Sequence, residues 1–517
     1  MSFLPLTADG LVDATSDGVI SQYSNGLPLT STGSLVVSDS SLTPAGFSIG
    51  LPYDANGAVA IETGGTVAFY NNGIPLTSSG RVCFSSSSSG TIYYTNGVPF
   101  YADGAIAGNS GATPSWQIIG QYNDIPQSQQ GSNSSNVRAI TVAKAKLAAD
   151  NVTALRSYGR GFYVGGSGGP EINIGNDVPT RVAAMNGATL LGVSPSPVSI
   201  PNGSGLTQLA EFTGLSLSAG TTLDLQKERV ITAGQFSVQT TPYAAGTLPT
   251  GVGRKGDDGT APSVLGTASP SGLSVGTLEA DIWVAYGEHP PHTYTMVSHS
   301  IGYNNTDAAI GDGGLIGAGG RTVEGGGLVR RGFRAAAVAT GVETPLLMMA
   351  KPAGQIATML GSMSGRRQSF QFTNTLVIFY ETNDLDSSAG NKTAAQVAGY
   401  YTSLATQFRA DWAAGPNGSL PCYVIACTPL PRGADGGTPS TTQQRIADFY
   451  DLVVAGISGV DGYWDLNRLF AVPGTPWKIA DTALFNADLL HLSAAGHIAG
   501  GEYISNMIQQ STPWISS

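Results

Sequence analysis

The chain has 517 residues, only 11% of them charged, with 70 glycines and a formal net charge of −11. That length exceeds one ordinary hydrophobic core and predicts several domains. The acidic balance excludes a phosphate-backbone binder, so no nucleic acid partner is expected, and no run approaches the ~20 apolar residues that span a bilayer, so no membrane is expected either. Hydrophobic residues, 41% of the total, recur along the whole chain and argue against disorder, while the abundance of glycine predicts many turns and β-rich architecture. The opening MSFLPLTADG has neither a basic stretch nor a sustained apolar one, so no export signal is expected. The three cysteines cannot all pair, and Cys83, Cys422 and Cys427 are expected to be reduced.

Residues 1–110 carry a repeat in which a Pro is followed by a Gly: Pro5/Gly10, Pro28/Gly33, Pro52/Gly57, Pro75/Gly80 and Pro99/Gly104. Successive prolines are 23, 24, 23 and 24 residues apart. Three copies read YSNGLPLTSTG, YNNGIPLTSSG and YTNGVPFYADG, each flanked by alternating apolar residues such as Leu35, Val37, Val82 and Phe84. Asn-Gly supplies the positive φ of a tight turn and Pro stiffens the next step, so each copy predicts a small β-unit that must stack on its neighbours to bury a face. Tyr23, Tyr70 and Tyr94 could form an aromatic ladder against sugars, although packing is the commoner role of periodic aromatics. These repeats resemble the particle-attaching N-terminal regions of tailed-phage virion proteins. The resemblance implies a tail fibre or spike located on the virion, bound to other virion proteins through the repeats and assembled as a homotrimer.

Residues 111–290 alternate in short apolar runs, VRAITVAKAKL, GFYVGG, TTLDLQKERVITAG and ADIWVAYG, separated by turn residues. This pattern predicts an accessory β-sandwich. No histidine precedes His289, so imidazole chemistry is absent from the first half of the chain. GVGRKGDDGTAPS reads as an exposed loop. GGSGG (165–169) and GLSVG (272–276) fit the spacing of a nucleophile elbow, but neither precedes a helical pattern, and both read as turns.

Residues 291–517 change texture to apolar strands alternating with helices. TLVIFY (375–380) and CYVIAC (422–427) predict buried parallel strands. Val397, Tyr401, Leu404, Phe408 and Trp412 mark the inner face of one helix, and Ile446, Phe449, Leu452 and Val453 that of another. Strand, helix, strand, helix predicts a three-layer, doubly wound α/β domain of the flavodoxin-like kind, whose ligands bind beyond the carboxyl ends of the strands. Two of the five histidines fall in DLLHLSAAGH, where Asp488 precedes His491 by three residues and Ser493 is placed to cap a helix. Such a carboxylate can hold Nδ1–H and leave Nε2 free to take a proton, although the segment alone also fits a surface loop. His289 and His292 lie in the Pro-rich EHPPHTY without a companion cluster of ligands, so no metal and no other cofactor is expected.

Ser300 in VSHSIG follows an apolar run, and ETND (381–384) follows TLVIFY. With DLLHLSAAGH, these segments resemble the SGNH (GDSL-like) hydrolases, a family with a Ser after its first strand, a Gly after its second, an Asn after a later one, and DxxH near the end. The resemblance implies Ser300 as nucleophile, His491 as general base, Asp488 as its orienting acid, and Gly332 and Asn383 as oxyanion donors. Gly325, Gly326 and Gly327 are alternatives to Gly332, and Ser298 is an alternative nucleophile. Three positions depart from the family: Ser298 stands where it has Gly, His299 where it has Asp, and Glu381 where it has Gly. The implied activity is carboxylic ester hydrolysis, with O-acetyl groups on a host surface polysaccharide as substrate. The alternatives are a non-catalytic virion adhesin that uses the fold to bind glycan, and a bacterial lipase or esterase with accessory β-domains.

Overall fold

The fold is described from a computed structural model. It covers the strands alone within the first 113 residues, and from Pro114 onward all residues except 121–122, 125, 127, 167, 240–252, 269, 271–272, 274–280, 304–326, 434–437, 511–512 and 516–517. The chain divides into two compact units, Met1–Ala112 and Thr113–Ser517.

In the first unit the four repeats from Pro28 to Pro99 each fold as a hairpin followed by a stacking strand, and the Pro5 copy lies outside the described residues. Gln22–Ser24 pairs antiparallel with Leu27–Leu29, Gly46–Ser48 with Leu51–Tyr53, Phe69–Asn71 with Ile74–Leu76, and Tyr93–Thr95 with Val98–Phe100. The repeat proline faces an aromatic position across each hairpin: Tyr23 opposite Pro28, Phe47 opposite Pro52, Tyr70 opposite Pro75 and Tyr94 opposite Pro99. The strands that follow, Leu35–Ser38, Val59–Thr63, Val82–Ser85 and Ile106–Ala107, pair in parallel from one repeat to the next. Parallel neighbours need a crossover connection, and the hairpin supplies it. The side chains of Tyr23, Tyr70, Cys83 and Tyr94 lie outside the described residues.

The second unit begins with two antiparallel sheets. One contains β2 (Asp150–Gly159), β4 (Thr207–Leu217) and β6 (Ile282–Glu288), and the other β1 (Arg138–Lys146), β3 (Val178–Asn186) and β5 (Thr222–Val230). Alternate residues of both, among them Ala143, Val182, Leu225, Leu155, Phe212 and Trp283, fill one shared core, as expected for strands of period two in a sandwich. Gly253–Asp257, expected as loop, is instead an edge strand antiparallel to β1. It has no apolar alternation to betray it, because an edge strand is held by backbone pairing, here with an Arg138–Asp257 ion pair at 2.8 Å.

Beyond the sandwich lies a parallel sheet in the order Asn123–Asp124, β8 (Leu346–Ala350), β7 (Tyr294–Ser298), β9 (Thr375–Phe379), β10 (Tyr423–Cys427), β11 (Gly462–Trp464). Leu376 and Ile378 point into one core with α2 (Ala394–Ala414) and α3 (Thr441–Ala455), while Val377 and Phe379 point into another with α1 (Leu328–Thr340) and α4 (Ala494–Ile508). Both faces of the sheet are therefore covered, which is why these strands read as unbroken apolar runs. Capping boxes Thr393/Gln396 and Ser440/Gln443 start α2 and α3. Leu452, expected on the inner face of α3, is exposed, since six residues beyond Ile446 fall off the apolar stripe.

The expected boundary near residue 290 falls inside this second unit. Along β6, Trp283 and Ala285 enter the sandwich core whereas Ile282 and Val284 enter the core of the α2/α3 layer. One strand thus serves two cores, and Asn123–Asp124, from the same stretch as the sandwich, adds an edge to the parallel sheet.

Candidate active site

The carboxyl ends of the parallel strands gather the polar residues of the site. At the end of β7 the chain turns into a short helix, Ser300–Tyr303, which places Ser300 just beyond the strand. The Ser300 Oγ lies 3.0 Å from His491 Nε2, and His491 Nδ1 lies 2.7 Å from Asp488 Oδ2. With the Nδ1 proton donated to Asp488, Nε2 is the acceptor for the serine hydroxyl.

The loop that carries the His–Asp pair is tightly organised. Asp488 Oδ1 accepts the backbone N–H groups of Leu490 and His491, both at 3.0 Å, and Leu489 takes a positive φ of 50° to close the turn. Burial pushes the Asp488 carboxyl up, but the hydrogen bonds from the His491 ring and the two backbone donors outweigh it and hold the group below its usual range. Ser493 Oγ accepts from Gly496 N–H and caps α4 directly after this loop. Ser298, the alternative nucleophile, is fully buried at the end of β7, and its Oγ finds no hydrogen-bond partner among the described residues. The serine that meets the imidazole is Ser300.

Asn383 lies in the short helix Thr382–Leu385 after β9, and its Nδ2 donates to the Gly354 carbonyl at 2.9 Å. Its neighbour Asp384 accepts the N–H groups of Ile356 at 2.8 Å and Ala357 at 3.3 Å, capping a short helix. Burial raises the Asp384 carboxyl to about 6 despite those two donors.

Gly332 is not at the carboxyl edge. It lies inside α1, where a Cβ would meet Ile504 at 2.5 Å and the Gly501 carbonyl at 2.9 Å, so it serves the close packing of α1 on α4, and a residue inside a helix spends its N–H on the helix. The family pattern asks for a Gly after the second strand. That strand is β8, which follows Gly332, and the glycine beyond β8 is Gly354. Of the alternatives, Gly325 and Gly326 lie outside the described residues, and Gly327 precedes α1. The apolar run PLLMMA (345–350) directly ahead of KPAG (351–354) is the sequence signal that locates Gly354.

The remaining histidines are structural. Burial lowers both His289 and His292 to about 4, and His289 Nε2 meets the Ala285 carbonyl at 3.0 Å. His497 Nδ1 accepts the N–H of Leu328 at the start of α1. No cluster of residues able to hold a metal occurs among the described residues. Cys422 and Cys427 are free thiols, and no described helix is long and apolar enough to cross a membrane. Fold and site together define a three-layer α/β protein with a Ser–His–Asp triad at the carboxyl edge of its sheet.

No protein-family model matches the chain, and no curated protein matches it. Among solved structures it is similar to a lipase/acylhydrolase from Enterococcus faecalis, at 20% identity over 42% of this chain and 95% of the other, with a TM-score of 0.28. It is also similar to an active-site mutant of a family two carbohydrate esterase from Clostridium thermocellum, at 11% identity over 74% and 98%, TM-score 0.28. A third is a mutant acetyl-xylooligosaccharide esterase from Geobacillus stearmophilus, at 12% identity over 44% and 98%, TM-score 0.30.

Proposed function

We propose that the chain is a serine carboxylic ester hydrolase that removes O-acetyl groups from a host surface polysaccharide, as part of a phage tail fibre or spike. The observation that carries the esterase reading is the unbroken relay from Ser300 Oγ to His491 to Asp488, at 3.0 and 2.7 Å. In this reading His491 Nε2 takes the Ser300 proton as the oxygen attacks the ester carbonyl, then returns it to the leaving alcohol. Asp488 keeps Nδ1 protonated and balances the imidazolium. The Ser300 N–H, in the first turn of a helix and so without an intrahelical partner, and the second Nδ2 proton of Asn383 are the donors assigned to the developing oxyanion, whereas the Gly354 N–H is spent on the Lys351 carbonyl. Water hydrolyses the acyl-enzyme by the same route.

The acetyl and polysaccharide assignments rest on the family resemblance. The virion setting, attachment to other virion proteins and homotrimeric assembly rest on the N-terminal repeats. Hydrolysis of a chromogenic acetyl ester by the purified protein, beside Ser300→Ala, Ser298→Ala and His491→Ala, tests the chemistry. Activity that needs Ser300 and His491 but survives loss of Ser298 is the expected result. A wild type inert on several acyl chain lengths would move the reading to a glycan-binding adhesin.

A further inference from the structure

Within the GGSGG segment, read as a turn on sequence grounds, Gly165, Gly168 and Gly169 are buried. Phe162–Val164 and Glu171–Asn173 pair antiparallel, and the hairpin tip between them reaches the turn that follows β8. There Gly168 N–H donates to the Ala353 carbonyl at 3.2 Å and the Gly168 carbonyl accepts Gln355 N–H at 3.1 Å, making a parallel bridge between Gly168 and Gly354. The hairpin is anchored on its C-terminal side as well. Arg366, fully buried, donates to the Gly169 carbonyl at 3.0 Å and to Glu171 Oε1 at 3.1 Å, while Glu171 also accepts the N–H groups of Gly365 and Arg366.

The glycines are required by this approach. Gly166, Gly168 and Gly169 all have positive φ, and a Cβ on Gly168 would stand 2.8 Å from Thr358 Oγ1. The turn being gripped is itself strained, since Ala353 has a φ of 57°, a conformation that costs a non-glycine residue free energy and persists only where its surroundings impose it. On its other side Asn383 holds the Gly354 carbonyl of the turn, and Asp384 holds the Ile356 and Ala357 N–H groups just beyond it.

We propose that Gly168 and Gly169 of this hairpin form a positioning element of the esterase site, holding the Lys351–Gln355 turn against Asn383 so that this oxyanion donor is fixed before substrate arrives. A hairpin from the 111–290 stretch, a separate two-stranded sheet whose Phe162 and Val164 pack in the core of the α2/α3 layer, is then part of the catalytic apparatus. This rests on the esterase reading above. Backbone partners held in place beforehand lower the barrier without altering ground-state binding, so the loss on loosening them falls on kcat.

The test is Gly168→Ala in the full chain, against Gly187→Ala, a matched control with a φ of +57° and nothing within 4 Å of its Cβ position. The expected result for Gly168→Ala is a roughly 10- to 100-fold loss of kcat on an acetyl ester with KM little changed, the scale of a small misplacement of catalytic groups. Hydrogen exchange at the Gln355 amide should accelerate in parallel, and the control should match wild type in both. If Gly168→Ala fails to fold, Glu171→Gln, which weakens the anchoring ion pair, should show the same pattern to a lesser degree. Equal kcat and equal Gln355 exchange in the Gly168 and Gly187 variants would overturn the proposal. An inactive wild type would instead remove the esterase reading and the catalytic consequence with it, while the exchange measurement still decides whether the hairpin holds the turn.

Discussion

Glu381 Oε1 faces His299 Nε2 at 3.8 Å, with both side chains fully buried. His299 Nδ1 accepts the Ile301 N–H at 3.3 Å, so the ring proton sits on Nε2, toward the carboxylate. Glu381 Oε2 also accepts the Tyr401 hydroxyl at 3.0 Å, and burial together with the Glu381 charge keeps that hydroxyl protonated. These two residues are two of the three departures from the SGNH-like motifs, one beside Ser300 and the other two residues before Asn383. They are one change in space, a pair that occupies the positions of an Asp and a Gly.

That pairing predicts strong coupling. His299→Asp alone sets a second carboxylate against Glu381 and should destabilise the fold by ~3–5 kcal/mol. Adding Glu381→Gly should recover more than ~0.5 kcal/mol beyond additivity in urea unfolding. Strictly additive losses would show that the two sites do not interact.

Asp488 should matter less than His491. Its side chain is 47% exposed, so water can partly replace it in orienting the imidazole. Ser300→Ala and His491→Ala are expected to lower kcat by ~10³-fold or more, and Asp488→Ala by roughly 10- to 1000-fold. Steady-state kinetics of the three variants on one ester provide the comparison, and an Asp488 variant as impaired as His491→Ala would contradict it.

Asn383→Ala should reduce kcat by roughly 10²- to 10³-fold with little change in KM, the effect of losing one oxyanion donor. Because Asn383 also holds the Gly354 carbonyl, Gln355 exchange should rise modestly in this variant. A change confined to KM would place Asn383 in substrate binding instead.

Gly332→Ala separates packing from catalysis. A methyl group forced against Ile504 and the Gly501 carbonyl should cost about 1–3 kcal/mol of stability. The folded fraction should keep wild-type kcat, as read by active-site titration alongside thermal unfolding. A selective loss of kcat would return Gly332 to the oxyanion site.

Asp384 predicts a pH effect of definite sign. Its folded pKa, about 6, lies above the ordinary carboxylate value near 4, so the folded state binds the proton more tightly than the unfolded chain. The corresponding stability is fully present below about pH 4 and is lost as pH rises to about 6, a change on the order of 2–3 kcal/mol. Asp384→Asn should remove this slope, giving a variant whose unfolding free energy relative to wild type improves from pH 4 to pH 7. An unchanged slope would assign the pH dependence to other groups.

The sequence by itself determined the elements that announce themselves locally. TLVIF and YVIAC are buried on both faces and read as unbroken apolar runs, the helix face from Val397 to Trp412 follows the 3.6-residue period, and Asp488 and His491 lie within one turn of chain. The repeat at the N-terminus is legible for the same reason, since each described copy closes a local hairpin. Gly332 precedes the run PLLMMA (345–350), and only when that run is read as the second strand does the glycine pattern move beyond it to Gly354. Only the tertiary structure decided that His299 meets Glu381, that Ser300 and not Ser298 meets His491, and that Gly168 of the Phe162–Asn173 hairpin reaches the turn beside Asn383. Those contacts join residues far apart in the chain, and burial and backbone pairing select them only after the strands have taken their order in the sheet.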